Sequence, residues 1–292
     1  MKLMKIIGYL TTAFCASMFI MACNIEQEID AADKNGEAVM TDGMVDDVSD
    51  VIIDELADFK FHTFIANIPS PLQTFHTLKK AGVDFHDNLA NPVENRGKYT
   101  ASSSIALNYG IYMADMGYFT VYEQQQQSIR YFAASRELAQ KLGFANILDK
   151  VASKRFETNT GNTDSAMVII DDAFVAMEEY LATNEQLKTM GLISAGSWLE
   201  SQHITVNMLL HSEKLADSPE LANQVYEQKL HLVNLLKFLS EYKDEKEFAN
   251  VIEGFNRILV VYNTLAGTDS VNTENLQQIL DALADMRRGL TG

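Results

Sequence analysis

Apolar residues recur at three- and four-residue spacing from residue 47 to the end of the chain, a periodicity typical of amphipathic helices. The first such stripe consists of Val48, Ile52, Leu56, Phe59 and Thr63. Alternating patterns bounded by turn dipeptides, which would indicate β-strands, are scarce. The sequence therefore predicts an all-α fold, a multi-helix bundle of about eight or nine antiparallel helices joined by short loops.

The four prolines fall at expected helix boundaries. Pro69 and Pro71 close the first stripe, because proline cannot continue a helix interior, and Pro92 lies in a loop. The helix expected at residues 100–142 should kink near Gly117. The remaining helices are expected at 72–82, 146–157, 163–182, 185–214, 219–241, 244–266 and 273–290.

The N-terminus has the layout of an exported signal peptide. Lys2 and Lys5 precede an apolar run over residues 6–22, and the small residue Ala22 precedes Cys23. The run of 17 residues is at the lower limit for a membrane-spanning helix. Cleavage is therefore favoured over a permanent transmembrane segment.

The sequence Ile20-Met21-Ala22-Cys23 resembles the lipobox of a bacterial lipoprotein. The resemblance implies cleavage before Cys23, diacylation of its sulfur and acylation of the new amino terminus. Several acyl chains would anchor the protein stably, since each buried methylene contributes roughly 0.8 kcal/mol. Asn24 resembles the default signal for sorting to the outer membrane. The alternative is an ordinary secreted protein.

The mature chain has no partner for a disulfide, because Cys15 is removed with the signal peptide and only Cys23 remains. An acidic, glycine-containing segment without aromatic residues follows and predicts a flexible tether. The expected organisation is a signal peptide at 1–22, a tether at 23–46 and a single helical domain at 47–292.

The formal net charge of −17 becomes −19 after cleavage, which removes two lysines and no acid. Such a surface repels phosphate backbones, so nucleic acid is excluded as a partner. The excess charge also fits a solvated acidic surface. The partners left open are the membrane through the lipid anchor, a protein, or a small molecule.

Residues 106–127 combine two glycines with a strip of polar aromatic residues in one helix. Gly110 and Gly117 lie on one face, and each costs roughly 1 kcal/mol relative to alanine, which indicates close packing of another helix. Asn108, Tyr112 and Asp115 lie on the opposite face. We therefore expect this helix to be central.

A carboxylate in that position must be paired, hydrogen-bonded or neutral. Asp115 either accepts from tyrosine hydroxyls or pairs with Arg130 or Arg155, or it lines a pocket. A pocket would lie between the helices at 100–123 and 185–212. Its candidate ligand-binding residues are Asn108, Tyr112, Asp115, Trp198 and Glu200.

Glu200 and His203 have the i, i+3 spacing found in ferritin-like di-iron sites. Such a site needs a second motif of this kind and two more carboxylates, so these two residues are only weak metal candidates and are expected to be solvated. Trp198 either anchors the core or stacks on a ligand beside them. No G-x-S-x-G motif and no internal cysteine nucleophile occur in the sequence. We expect no cofactor.

Three segments resemble a family of all-helical lipoproteins from Gram-negative anaerobic and marine bacteria. They are NPVENRGKYTASSSIALNYGIYMADMGY, RFETNTGNTDS and GSWLES, and the resemblance covers about residues 62–210. The family has no assigned activity, so the resemblance implies export and a helical fold only. The expected protein is a periplasmic or cell-surface lipoprotein of the outer membrane that binds or scaffolds without catalysis. The alternative is an enzyme, metal-dependent or otherwise, with its site inside the bundle.

Overall fold

The computed structural model describes Thr63, residues 68–159 and residues 161–292, and within them all regular secondary structure is helical. This result confirms the predicted all-α, multi-helix fold. The signal peptide, the tether with Cys23, and the first apolar stripe apart from Thr63 lie outside the described residues.

The α-helices are numbered here in chain order. They are α1 Pro71–Lys80, α2 Ser102–Val121, α3 Gln125–Leu142, α4 Ala145–Leu148, α5 Lys154–Asn159, α6 Thr163–Thr183, α7 Leu187–Leu210, α8 Lys214–Asp217, α9 Pro219–Leu239, α10 Lys246–Tyr262 and α11 Thr273–Thr291. A π-helical segment, Asp149–Ser153, joins α4 to α5. Short 3₁₀ turns occur at Val93–Gly97, Ser240–Tyr242 and Thr268–Ser270.

Polar side chains begin several of these helices by accepting backbone N–H groups that have no partner in the first turn. The Asn162 side-chain oxygen accepts the N–H of Ser165 at 2.9 Å at the start of α6. Asn272 accepts the N–H of Asn275 at 3.0 Å at the start of α11. These caps explain why the local sequence predicts the helix starts well.

The predicted kink near Gly117 is wrong. Helix α2 continues through this residue to Val121, and α3 begins at Gln125 after Glu123 adopts a left-handed φ of 62°. A Cβ atom at Gly117 would lie 3.4 Å from Leu72 Cδ2 of α1. That distance is an ordinary van der Waals contact, so Gly117 lies against α1 within an uninterrupted helix, and the chain turns a few residues later.

Helices α2 and α7 form the centre of the domain, and all residues over 105–121 are buried. The two backbones touch at one glycine of each helix. A Cβ at Gly110 would lie 2.0 Å from the carbonyl oxygen of Ile193, and a Cβ at Gly196 would lie 1.9 Å from that of Leu107. The predicted close approach at Gly110 is confirmed, because no larger side chain fits between these helices.

The other long helices surround this pair. Helix α11 packs against α7 and α2, α1 packs against both, and α6 lies along α7 and α2. Helices α9 and α10 pack on each other and link α7 to α11. In the part of the chain that the structure describes, no helix is both long enough and apolar enough to cross a membrane.

Candidate functional site

A buried ion pair joins the last helix to the centre of the domain. Arg287 of α11 donates from Nε to Glu200 Oε2 at 2.6 Å and from Nη2 to Glu200 Oε1 at 2.7 Å. Glu200 is fully buried and the Arg287 side chain is 16% exposed. Arg287 Nη2 also donates to the Leu89 carbonyl at 3.1 Å. This bidentate pair is of the strong, charge-assisted kind. The prediction that Glu200 is solvated is wrong.

Asp115 of α2 lies beside this ion pair and is also fully buried. Its Oδ2 accepts the Asn91 N–H at 3.1 Å, and its Oδ1 has no hydrogen-bond partner. Burial, together with the negative charge of Glu200, raises the pKa of Asp115 well above its ordinary value. Burial alone would raise the pKa of Glu200 too, but Arg287 holds it below its ordinary value. Asp115 is therefore the carboxyl of the pair that favours the protonated form.

Asp115, Glu200 and Arg287 together are called the buried cluster below. Neither arginine proposed from the sequence takes part in it. Arg130 contacts Glu94 at 3.2 Å and Arg155 contacts Asp172 at 2.9 Å, both near the surface. Nor does a tyrosine hydroxyl donate to Asp115: that of Tyr112 donates to the Pro92 carbonyl at 2.8 Å, and that of Tyr131 donates to the Asn91 carbonyl at 2.9 Å.

The polar aromatic strip of α2 therefore holds the loop before α2 in place. Asn108 has a related role at the other end of the strip, where its Nδ2 donates to the Leu290 carbonyl at 3.1 Å and to the Ser104 carbonyl at 2.9 Å. These contacts attach the end of α11 to α2. The polar aromatic strip and the buried cluster thus make their polar contacts with other parts of the same chain.

His203 lies one turn after Glu200 and is almost completely buried. Burial lowers its pKa to about 4, although the charge of Glu200 opposes the shift. The imidazole is therefore neutral at physiological pH. Across the described residues, no group of three His, Cys, Asp and Glu side chains is placed to hold a metal ion. Arg287 already donates to both carboxylate oxygens of Glu200. The i, i+3 pair of Glu200 and His203 therefore does not form part of a di-metal site.

An open cleft lies on the other side of α7. It has a volume of about 540 Å³ and is bounded by α6, α7 and the start of α1. Its lining residues follow one face of α6 at 171, 174, 175 and 178 and one face of α7 at 193, 194, 197, 198 and 201. These spacings place each set on a single helical stripe. The cleft is within the range of roughly 300–1,000 Å³ that small-molecule sites occupy.

Trp198, the only tryptophan in the chain, lines the inner part of the cleft. Its ring centroid lies 5.8 Å from that of Phe255 and 6.1 Å from that of Tyr262. Its Nε1 donates to Gln228 Oε1 at 3.0 Å. Trp198 is thus a core anchor, as one interpretation of the sequence had it, and it also reaches a site that a ligand can enter.

One hydroxyl in the cleft is available to a ligand. The Ser194 hydroxyl donates to the Met190 carbonyl and the Ser201 hydroxyl donates to the Trp198 carbonyl, each at 3.0 Å. Ser197 lines the cleft and is only 7% exposed, yet its hydroxyl makes no hydrogen bond within the described residues. A ligand in the cleft can therefore hydrogen-bond with this hydroxyl.

The charged residues that line the cleft are both acids, Asp171 and Glu178. Asp171 is accessible to solvent, but partial burial against the protein and the negative charge of Asp172 raise its pKa. Asp172 itself pairs with Arg155 at 2.9 Å. The described lining residues include no lysine, arginine or histidine. The described lining of the cleft therefore carries acidic residues and no basic ones.

The structure brings together only part of the predicted ligand-binding set. Asp115 and Glu200 adjoin each other, and Trp198 alone lines the cleft. Asn108 donates to the Leu290 carbonyl of α11, and Tyr112 donates to the Pro92 carbonyl in the loop before α2. Ligand binding at the four residues other than Trp198 stays a prediction.

Two residues that matter here, Arg287 and Asp171, were not among the sequence candidates. In the sequence, Arg287 can be recognised as a charged residue on the otherwise apolar stripe of α11. Leu276, Ile279 and Leu283 form this stripe.

Fold and site together define an all-α protein with an acidic, tryptophan-lined cleft beside its central helix pair. No protein-family model, curated protein or solved structure matches this chain.

Proposed function

We propose that this chain is an exported, lipid-anchored protein whose helical domain binds a small molecule in the cleft between α6 and α7. The observation that carries the proposal is the cleft itself, with a volume of about 540 Å³, apolar walls and the unpartnered hydroxyl of Ser197. Sites of this kind combine a mostly apolar surface with a few polar groups that orient the ligand.

Binding without catalysis is the activity that the cleft supports. Its polar side chains are serines, one glutamine and two carboxylates. Activation of a serine requires a neighbouring base such as histidine or lysine, and the described lining contains neither. The buried cluster is closed and engaged with the chain, so it offers no second reaction site.

The lipid anchor is supported by the N-terminal sequence. The positive residues, the apolar run and the lipobox-like Ile20-Met21-Ala22-Cys23 favour export and acylation at Cys23. Acylation would hold the domain at the outer membrane, facing the periplasm or the cell exterior, with the acidic segment 24–46 as its tether.

A small molecule is favoured over a protein partner. The large apolar side chains exposed on the described surface are spread over four helices, as expected for a monomeric surface. They are Ile129 on α3, Val168 and Val175 on α6, Leu230 on α9 and Val260 on α10.

Emission from Trp198 tests the proposal, because no other tryptophan contributes. We would titrate the protein with a panel of small aromatic and aliphatic amines, alcohols and carboxylates. At least one should change the emission saturably. Ser194→Phe, which fills the cleft, should abolish the change, and Ser102→Phe, at an exposed position on α2, should preserve it. Failure of the whole panel to change the wild-type emission would contradict the proposal.

A further inference from the structure

We propose that the ligand is an organic cation, with an apolar body against Trp198 and an ammonium or guanidinium group paired with Asp171. This inference depends on the proposed function, since it requires that the cleft binds a small molecule. It adds the chemical class of the ligand and the residue that selects it.

The first argument is the charge of the cleft. Asp171 is the acid at its mouth, and no described cationic side chain pairs with it. The neighbouring Asp172 differs in this respect because Arg155 neutralises it. Glu178 also lines this face of α6, but Asp171 alone is assigned to the cation. An anionic ligand would meet like charge on entry.

The second argument is the apolar wall around these acids. Phe174 and Val175 lie between Asp171 and Glu178 on α6, and Ile193 faces them from α7 beside Trp198. An inorganic cation would leave this surface unused, whereas a ligand with an apolar body would cover it. The aromatic rings also favour a cation over a neutral group of the same shape.

One feature of the cleft, the N-terminus of α1, favours a negatively charged ligand. The start of α1 lies in the lining, and a helix N-terminus carries about half a positive charge. Here Pro71, at the first helical turn, has no N–H, and the Ser70 hydroxyl already accepts the N–H of Gln73 at 3.3 Å. The full negative charge of Asp171 exceeds the partial positive charge that remains at the N-terminus of α1, so the cleft stays selective for cations.

The third argument is the free hydroxyl of Ser197. An ammonium or guanidinium group has only N–H donors, so it needs acceptors. The Ser197 oxygen inside the cleft and the Asp171 carboxylate at its mouth are both acceptors. The formal charge of −17 on the whole chain adds a long-range attraction for a cation approaching the cleft.

The test uses three probes of nearly equal shape: 2-phenylethylamine, 2-phenylethanol and phenylacetate. Trp198 emission of the full chain is measured for each. We expect the amine to bind most tightly and phenylacetate most weakly. Asp171→Asn should weaken binding of the amine about fivefold, the loss expected for one exposed charge pair, and leave binding of the alcohol unchanged.

Asp172→Asn is the matched control, since it removes the adjacent carboxylate that Arg155 already neutralises. It should leave binding of the amine within about twofold of wild type. Equal binding of all three probes, or an Asp171→Asn variant that binds the amine like wild type, would overturn the cation assignment and leave the proposed function standing. If no probe binds while another compound of the panel does, the same conclusion holds. If no compound of either set binds, both proposals fail.

Discussion

At the scale of single residues, the least replaceable side chain is Arg287. It is the cation that compensates the fully buried Glu200, to which it is joined by two hydrogen bonds. A charge left unpaired in a protein interior is strongly destabilising, whereas an exposed pair contributes little. Arg288, the next residue, forms only an exposed contact with Asp285 at 3.2 Å. The two adjacent arginines therefore provide a matched comparison.

Arg287→Met should lower the free energy of unfolding by roughly 3–5 kcal/mol, because Glu200 loses its counter-ion. Arg288→Met should change it by less than about 0.5 kcal/mol. Denaturant unfolding followed by circular dichroism measures both variants. Equal effects of the two substitutions would show that the buried ion pair does not form.

Asp115→Asn tests the protonation of the buried cluster. A pKa that is raised in the folded state means that stability is lost as the pH rises from the unfolded-state value, about 3.9, towards the folded-state value. Asparagine carries no ionisable group and therefore has no such loss. The variant should therefore gain stability relative to wild type as the pH rises from about 4 to about 8.

The measurement is denaturant unfolding of both proteins across that pH range. A difference in stability that stays constant with pH would mean that Asp115 ionises at its ordinary pKa, and the assignment of the proton to Asp115 would be wrong.

At the scale of helices, the contact between α2 and α7 depends on Gly110 and Gly196. A Cβ at either position would lie about 2 Å from a backbone carbonyl oxygen of the other helix, far inside normal contact. Backbone atoms cannot move aside as a flexible side chain can. The helices would have to separate, and the buried residues of both would lose packing.

Gly110→Ala should therefore destabilise the protein by at least about 3 kcal/mol, despite the better helix propensity of alanine. Gly289→Ala on α11 is the control, because no atom lies within 4 Å of its Cβ position. That variant should be neutral or more stable by up to about 1 kcal/mol. Thermal unfolding measures both. A Gly110→Ala protein as stable as wild type would contradict the backbone contact.

Local signals in the sequence predicted the helices well, because caps and prolines act over a few residues. Ser218 and Pro219 begin α9 as expected, and Gly143 ends α3 with a left-handed φ of 90°. The kink near Gly117 was predicted wrongly, because the helix runs on through this residue, which lies against Leu72 of α1. A sequence pattern does not show whether a glycine inside a helix marks a kink or a contact with another helix.

The candidate site was less predictable, since its pairs are distant in sequence. Glu200 and Arg287 are 87 residues apart, and nothing local distinguishes Arg287 from the exposed Arg288 except its position on the apolar stripe of α11. Asp171 and Asp172 present the same difficulty at the cleft. Which of two neighbouring charges faces a site depends on how the helices pack together.

At the scale of the whole molecule, we propose a helical binding domain held at a membrane by its N-terminus. Intact mass spectrometry of protein extracted from membranes of the native host should show a chain that begins at Cys23 and carries acyl chains. Cys23→Ser should remain unmodified and leave the membrane fraction. A bare Cys23 sulfur, or a chain that retains residues 1–22, would contradict the proposed anchor.

We propose that the cleft between α6 and α7 is a ligand site selective for cations. A crystal structure of the protein with 2-phenylethylamine would show whether the amine binds there. We predict electron density for the ligand beside Trp198, with its ammonium nitrogen within about 4 Å of the Asp171 carboxylate. An empty cleft at saturating amine, or an amine bound elsewhere on the protein, would contradict the claim.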